Sequence, residues 1–147
     1  MGKVLFTIGY EGADSERFVG ALRGAGVAVL ADVRAVALSR KRGFSKSALR
    51  DRLAESGIGY EHLRALGTPK AGREAARADD AALMRRIYCE EVLGTEAGEA
   101  ALAGLADLAA AAPTCLLCFE RDPARCHRRI LSERLAAQGF SVVDLFA

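Results

Sequence analysis

The chain has no tryptophan, and aromatic residues make up only 6% of its 147 residues. Aromatics this sparse argue against a surface that stacks successive bases of a single strand. No apolar run approaches the roughly 20 residues of a membrane span. The run inside MGKVLFTIGYEG is too short for a signal peptide and has no small-residue cleavage pattern, so a soluble, cytoplasmic protein is expected. There is no Walker A loop, and Gly9-Tyr10-Glu11-Gly12 is not a GxGxxG fingerprint. Neither GxSxG nor HExxH occurs. The position six after Cys118 is Ala124 rather than arginine, which leaves a cysteine-phosphatase loop unsupported. No repeat, low-complexity tail or linker divides the sequence, so residues 1–147 are expected to form one domain.

What is present is apolar enough for a large core. Hydrophobic residues make up 51% of the chain, and a domain of this length buries roughly 70% of its unfolded surface without help from disulfides or metal. The four cysteines therefore do not read as a disulfide framework; core residues, metal ligands or reactive thiols are the readings for a reducing compartment. A net charge of +2 does not mark a nucleic-acid binder, but its distribution is uneven. Arg34, Arg40, Lys41, Arg42, Lys46 and Arg50 fall in a stretch with no acidic residue, which points to an anionic partner.

Apolar runs and helical patterns alternate. Lys3–Ile8 reads as a strand, then a helix to about Ala25 capped by Asp14 or Ser15, then a continuously apolar strand Val27–Val33 suited to burial on both faces. A basic loop runs from Arg34 to Phe44; Ser45 can cap a second helix that Gly57 ends, and Ile58–Leu63 is a short strand. Arg64–Ala78, with Gly67, Pro69 and Gly72, reads as a loop. Asp80–Leu93 and Thr95–Ala111 read as helices, Thr114–Phe119 as a strand, Cys126–Gln138 as a helix and Ser141–Phe146 as a last strand. The expected fold is α/β: a parallel five-stranded sheet with helices on both faces, strand order 3-2-1-4-5. That order sets the loops after the first and fourth strands face to face, flanked by Asp32-Val33-Arg34.

Chemistry concentrates in Thr114–Arg129, TCLLCFERDPARCHRR, which holds three of the four cysteines and one of the two histidines. Cys118 lies near the strand's carboxyl end. Cys126 and His127 fall at a helix start, where the dipole and Arg125, Arg128 and Arg129 favour a thiolate or a bound anion. Cys118, Glu120, Cys126 and His127 are the catalytic candidates. Cys118, Cys126, His127 and His62 also offer zinc-type donors, but Cys115 and Cys118 sit inside an apolar strand rather than a knuckle, so no metal ligand is assigned and no cofactor is read. The ligand-binding candidates are Gly9, Tyr10, Asp32, Arg34, Ser39, Arg40, Tyr60, His62 and Arg128. Guanidinium forks at Arg34 and Arg40 suit phosphate or carboxylate oxygens, Asp32 can fix Arg34, and Tyr60 and His62 share one face of their strand.

Thr7-Ile8-Gly9-Tyr10, Asp32-Val33-Arg34, Ser39-Arg40, Gly57-Ile58-Gly59-Tyr60 with His62-Leu63 and Leu66-Gly67, Cys118-Phe119-Glu120 and Cys126-His127-Arg128 together resemble the domain of unknown function 488 family. They span nearly the whole chain in the family's order. Ala37 departs from it, standing where the family often has proline. The resemblance implies a compact Rossmann-like domain whose motifs converge on one pocket, and no particular reaction.

The leading expectation is an enzyme with an arginine-lined anion pocket acting on a phosphate-bearing or nucleic-acid-related substrate. The alternatives are a non-catalytic nucleic-acid or protein binding module and a metal or redox thiol protein. The expected partner is an anionic ligand, a nucleotide or nucleic acid being the candidates, with no membrane; the sequence does not give the oligomeric state.

Overall fold

The computed structural model describes residues 3–147. Five parallel strands form one sheet: β1 (Lys3–Gly9), β2 (Val29–Asp32), β3 (Gly59–His62), β4 (Thr114–Cys118) and β5 (Phe140–Leu145). The helices are α1 (Ser15–Gly24), α2 (Lys46–Glu55), α3 (Lys70–Arg77), α4 (Ala81–Tyr88), α5 (Glu96–Ala111) and α6 (Arg128–Ala136). α4 runs on into a π-helical turn, Cys89–Leu93. No helix among the described residues is long and apolar enough to cross a membrane.

The α/β class and the parallel sheet are as expected, but the order is 3-2-4-1-5, not 3-2-1-4-5. The two inner strands have exchanged places. All five residues of β4 are buried, whereas β1 opens with exposed Lys3 and Val4. The most continuously apolar strand therefore takes the middle, where both faces are covered. Its neighbours are β1 and β2, in register Gly9↔Cys118 and Asp32↔Leu117. The carboxyl end of β4 is thus flanked on both sides by the loops the motifs occupy.

Two apolar layers cover the sheet. Phe18, Val19 and Leu22 of α1 and Leu49 and Leu53 of α2 pack with Ile8, Leu30 and Leu117 on one face. α3 to α6 cover the other through Met84, Tyr88, Leu105, Ile130 and Leu131 against Leu5, Ala31 and Leu116. Asp14 caps α1, its carboxylate accepting from Arg17 N at 2.8 Å. Ser45 stands at the start of α2 but does not cap it. Its hydroxyl accepts from Ser39 N at 3.0 Å and donates to Ser39 O at 3.2 Å, so it closes the basic loop instead.

The stretch expected as a loop, Arg64–Ala78, is instead a 3-10 turn (Arg64–Leu66) followed by α3. Its glycines mark close approaches: a Cβ on Gly67 would run into the backbone of Ala35, and one on Gly72 into the side chain of Thr68. Pro69 precedes the first helical residue, where a missing N–H costs nothing. The last helix begins at Arg128, two residues later than expected, because Cys126 is extended.

One glycine decides how closely β1 and the loop after β4 meet. A Cβ on Gly9 would collide with the carbonyl of Glu120, which is backbone and has no room to yield. Gly104, in the middle of α5, faces open space. Gly9→Ala is therefore expected to destabilise by at least about 2 kcal/mol, and Gly104→Ala to stabilise by about 0.5–1 kcal/mol. Urea unfolding of both variants beside the parent checks the contrast, and equal midpoints would contradict it.

Candidate functional site

The site is built on two buried arginines that solve the burial problem differently. Asp32 ends β2 fully buried and Arg34 follows it, only 6% exposed. The two form a bidentate pair, Arg34 Nε to Asp32 Oδ1 at 2.9 Å and Nη2 to Oδ2 at 2.7 Å. Tyr60 on β3 donates its hydroxyl to Asp32 Oδ2. The remaining Arg34 nitrogen donates to Phe44 O at 2.7 Å and to Tyr10 Oη at 3.5 Å. Tyr10 stacks on Phe44 with centroids 4.7 Å apart. Burial works against the Arg34 charge, but the hydrogen bonds and negative charge of Asp32 outweigh it and hold the guanidinium above its ordinary value. Burial, then the bond to Asp32, pushes the Tyr60 phenol up.

The two histidines tie down the same segment. His62 Nε2 lies 2.9 Å from Arg34 O, and His127 Nε2 lies 2.7 Å from Val33 O. A carbonyl only accepts, so Nε2 carries the proton in each ring and the neutral ring keeps Nδ1 as an acceptor. In His127 that Nδ1 faces Cys126 Sγ at 3.7 Å. Burial lowers the His127 pKa to about 4; the bond to Val33 opposes this, and the charge of Arg128 adds to it.

Arg128 is the largest fully buried side chain, at 0% exposure. Its Nη1 donates to Cys118 Sγ at 2.8 Å and to Glu120 O at 2.5 Å, and Nη2 to Arg121 O at 3.1 Å. Nε has no partner. Among the described residues no carboxylate lies within ion-pair distance of it. Burial lowers its pKa, opposed by the charges of Asp144 and Glu120. Cys118 and Cys126 are joined as a disulfide across a sequence separation of eight. Cys126 Sγ also accepts from Arg128 N at 3.5 Å, so the sulfur sits at the start of α6. Glu120 Oε2 is 3.5 Å from Cys118 Sγ, and burial raises the Glu120 pKa above the usual carboxylate range.

A cavity of about 430 Å³ opens beside this group, within the usual range of small-molecule sites. Cys118, Glu120, Cys126 and His127 line it, as do Tyr10 and Arg34. Gly9, Asp32, Tyr60, His62 and Arg128 do not line it. Ser39 and Arg40 do not line it either, Arg40 being exposed and Ser39 engaged by Lys41 N at 3.0 Å. Thr68, just before α3, and Arg73 and Arg77 on it line the cavity and were not among the candidates, because that segment reads as a loop. Their sequence signal was the i, i+4 spacing of the two arginines, masked by the neighbouring glycines and proline. Arg125 lines it too, paired with Asp79 at 2.7 Å.

The family model for the domain of unknown function DUF488 matches residues 14–135. The chain belongs to the DUF488 family. The match reaches from the cap of α1 to the penultimate residue of α6, and so takes in Asp32, Arg34, Cys118, Glu120, Cys126, His127 and Arg128. No curated protein and no solved structure matches the chain.

The depressed His127 has a measurable consequence. Between pH 6.5 and about 4 the unfolded chain takes up a proton at this position while the folded DUF488 protein does not. Unfolding then gains protons, so stability falls as pH falls through that window, by up to about 3 kcal/mol. In urea melts at pH 7, 5.5 and 4, His127→Gln is expected to show a shallower loss than the parent, because it lacks this proton. Parallel losses would contradict the buried neutral ring.

Proposed function

We propose that this DUF488 protein is a thiol-dependent enzyme whose reacting sulfur is Cys118 and whose substrate is an anion held by the arginines of the cavity. One observation carries the reading: the buried guanidinium of Arg128 has no carboxylate partner and places Nη1 2.8 Å from Cys118 Sγ. A buried charge needs an opposite charge nearby. When the disulfide is reduced, the Cys118 thiolate supplies it.

The neighbouring groups fit a two-thiol cycle. Cys118 sulfur attacks an electrophilic atom of the substrate and forms a bond to it, while the bond to the leaving group breaks. Glu120, whose pKa burial raises, stands 3.5 Å from Cys118 Sγ and gives the leaving group a proton. Cys126 sulfur attacks Cys118 sulfur and expels the bound fragment, which takes the Cys126 proton. The substrate gains two electrons and two protons, and the Cys118–Cys126 disulfide is the oxidised product. An external thiol or dithiol reductant restores the pair. Arg73, Arg77 and Arg125 set the anionic, phosphate-bearing character of the substrate. Asp32, Tyr60 and His62 act at one remove, by fixing Arg34 and its loop.

A second reading rests on donor chemistry. Once reduced, Cys118 and Cys126 offer thiolates and Glu120 a carboxylate, with donor atoms all within 4.8 Å of one another, a set that suits zinc. Elemental analysis of reduced protein purified without chelator separates the two. About one zinc per chain, lost in Cys126→Ser, would replace the thiol cycle with metal-assisted chemistry.

In metal-free reduced protein, Cys118 is expected to alkylate at pH 6 at least about tenfold faster than Cys89, followed by peptide mass spectrometry. Cys118→Ser is expected to remove the fast phase. A uniform rate at all four thiols, or a fast phase that survives in Cys118→Ser, would overturn the assignment.

A further inference from the structure

The cavity is lined by two unlike sets of side chains. One is Arg73 and Arg77, one helical turn apart on α3, and among the described residues neither is paired with a carboxylate. The other is Val36, Leu38 and Phe119, respectively 51%, 73% and 46% exposed. Half of the large exposed hydrophobic side chains among the described residues thus gather at this one opening; the others are Val4, Val143 and Phe146. Apolar side chains left in water beside a concave site mark a surface that a ligand covers. Phe119 is held in place edge-to-face by Tyr10, with centroids 5.3 Å apart. Tyr10 is itself locked on Phe44 and under the Arg34 guanidinium. The aromatic ring at the mouth is therefore preorganised.

A bare phosphate would leave the apolar side chains wet, and an apolar molecule would leave the arginines without a counter-charge. We propose that the cavity takes a small phosphomonoester carrying a planar ring, of the nucleoside monophosphate type. Its phosphate lies against Arg73 and Arg77, and its ring lies against Phe119 between Val36 and Leu38. The assignment rests on the anion-pocket part of the proposed function and adds the apolar half of the ligand. It points to one ring rather than a strand of bases, because Phe119 is the single exposed aromatic side chain at the opening.

Calorimetric titration of the reduced protein with adenosine 5′-monophosphate, ribose 5-phosphate, adenosine and a short single-stranded oligo(dA) tests this. The expected result is that the monophosphate binds at least about tenfold tighter than ribose 5-phosphate, the difference being the base. Phe119→Ala is expected to remove that difference without changing ribose 5-phosphate binding. Arg73→Ala with Arg77→Ala is expected to weaken both phosphates. Phe119, Arg73 and Arg77 are not in the closed core, and far-UV circular dichroism confirms that the variants fold. Equal binding of the two phosphates overturns the ring site and leaves the anion pocket standing. Binding of neither phosphate overturns both. Oligonucleotide binding without monophosphate binding overturns the proposal in favour of a strand-binding surface. A dimer in sedimentation that the monophosphate does not disturb and Leu38→Asn dissolves overturns it in favour of a contact between copies.

Discussion

The buried pair of Asp32 and Arg34 is the constraint around which the rest is arranged. Two opposite charges have left water at the carboxyl end of β2, and their mutual attraction offsets that loss only if every remaining donor and acceptor finds a partner. The chain supplies those partners from four places: Tyr60 from β3, Phe44 O from the far end of the basic loop, Tyr10 from the end of β1, and Arg34 N back onto Asp32 Oδ1 at 3.1 Å. The ordering of the thirteen-residue excursion between β2 and α2, residues 33–45, is thereby tied to one ion pair. The two histidines finish the job by occupying the carbonyls of Val33 and Arg34. The wall of the cavity is fixed by electrostatics as much as by packing.

Arg128 shows what happens when the same burial is left incomplete. It has backbone carbonyls and a sulfur where Arg34 has a carboxylate. The contrast separates two roles for residues that look alike in sequence. The arginine with a full complement of partners holds structure in place; the one with an unpartnered Nε beside a cysteine carries the reactivity in the proposed cycle.

Much of this was legible beforehand. The strands could be read because their apolar runs are continuous, and the loops that meet could be read because open parallel sheets bring strand ends together. Asp14 as a cap, and Asp32 as a partner for Arg34, followed from local chemistry. The exchange of the two inner strands was not legible, because β1 and β4 are both apolar and connection rules alone permit either order. α3 was hidden because Gly67 and Gly72 read as breakers; Gly67 is required by a long-range approach to Ala35, which leaves no local trace, and Gly72 by a tight fit against Thr68 one turn before it. The basic residues from Arg40 onward drew attention as a charge cluster, yet Arg73 and Arg77 line the cavity. Linear density of charge says nothing about which side chains a fold turns inward.

The central position of β4 also bears on how the molecule comes into being. Among the described residues β1 pairs only with β4 and β5, and β2 only with β3 and β4. Until Thr114–Cys118 has left the ribosome, the nascent chain holds a single strand pair, β2 with β3, and β1 waits with both edges open. The sheet itself then closes late, joining residues more than eighty positions apart. Such long-range closure is slow, and it leaves apolar edges exposed to wrong partners while it is pending. The first three-quarters of the polypeptide thus depends on its last quarter to complete the sheet, and a chain truncated before β4 would keep at most the β2–β3 pair.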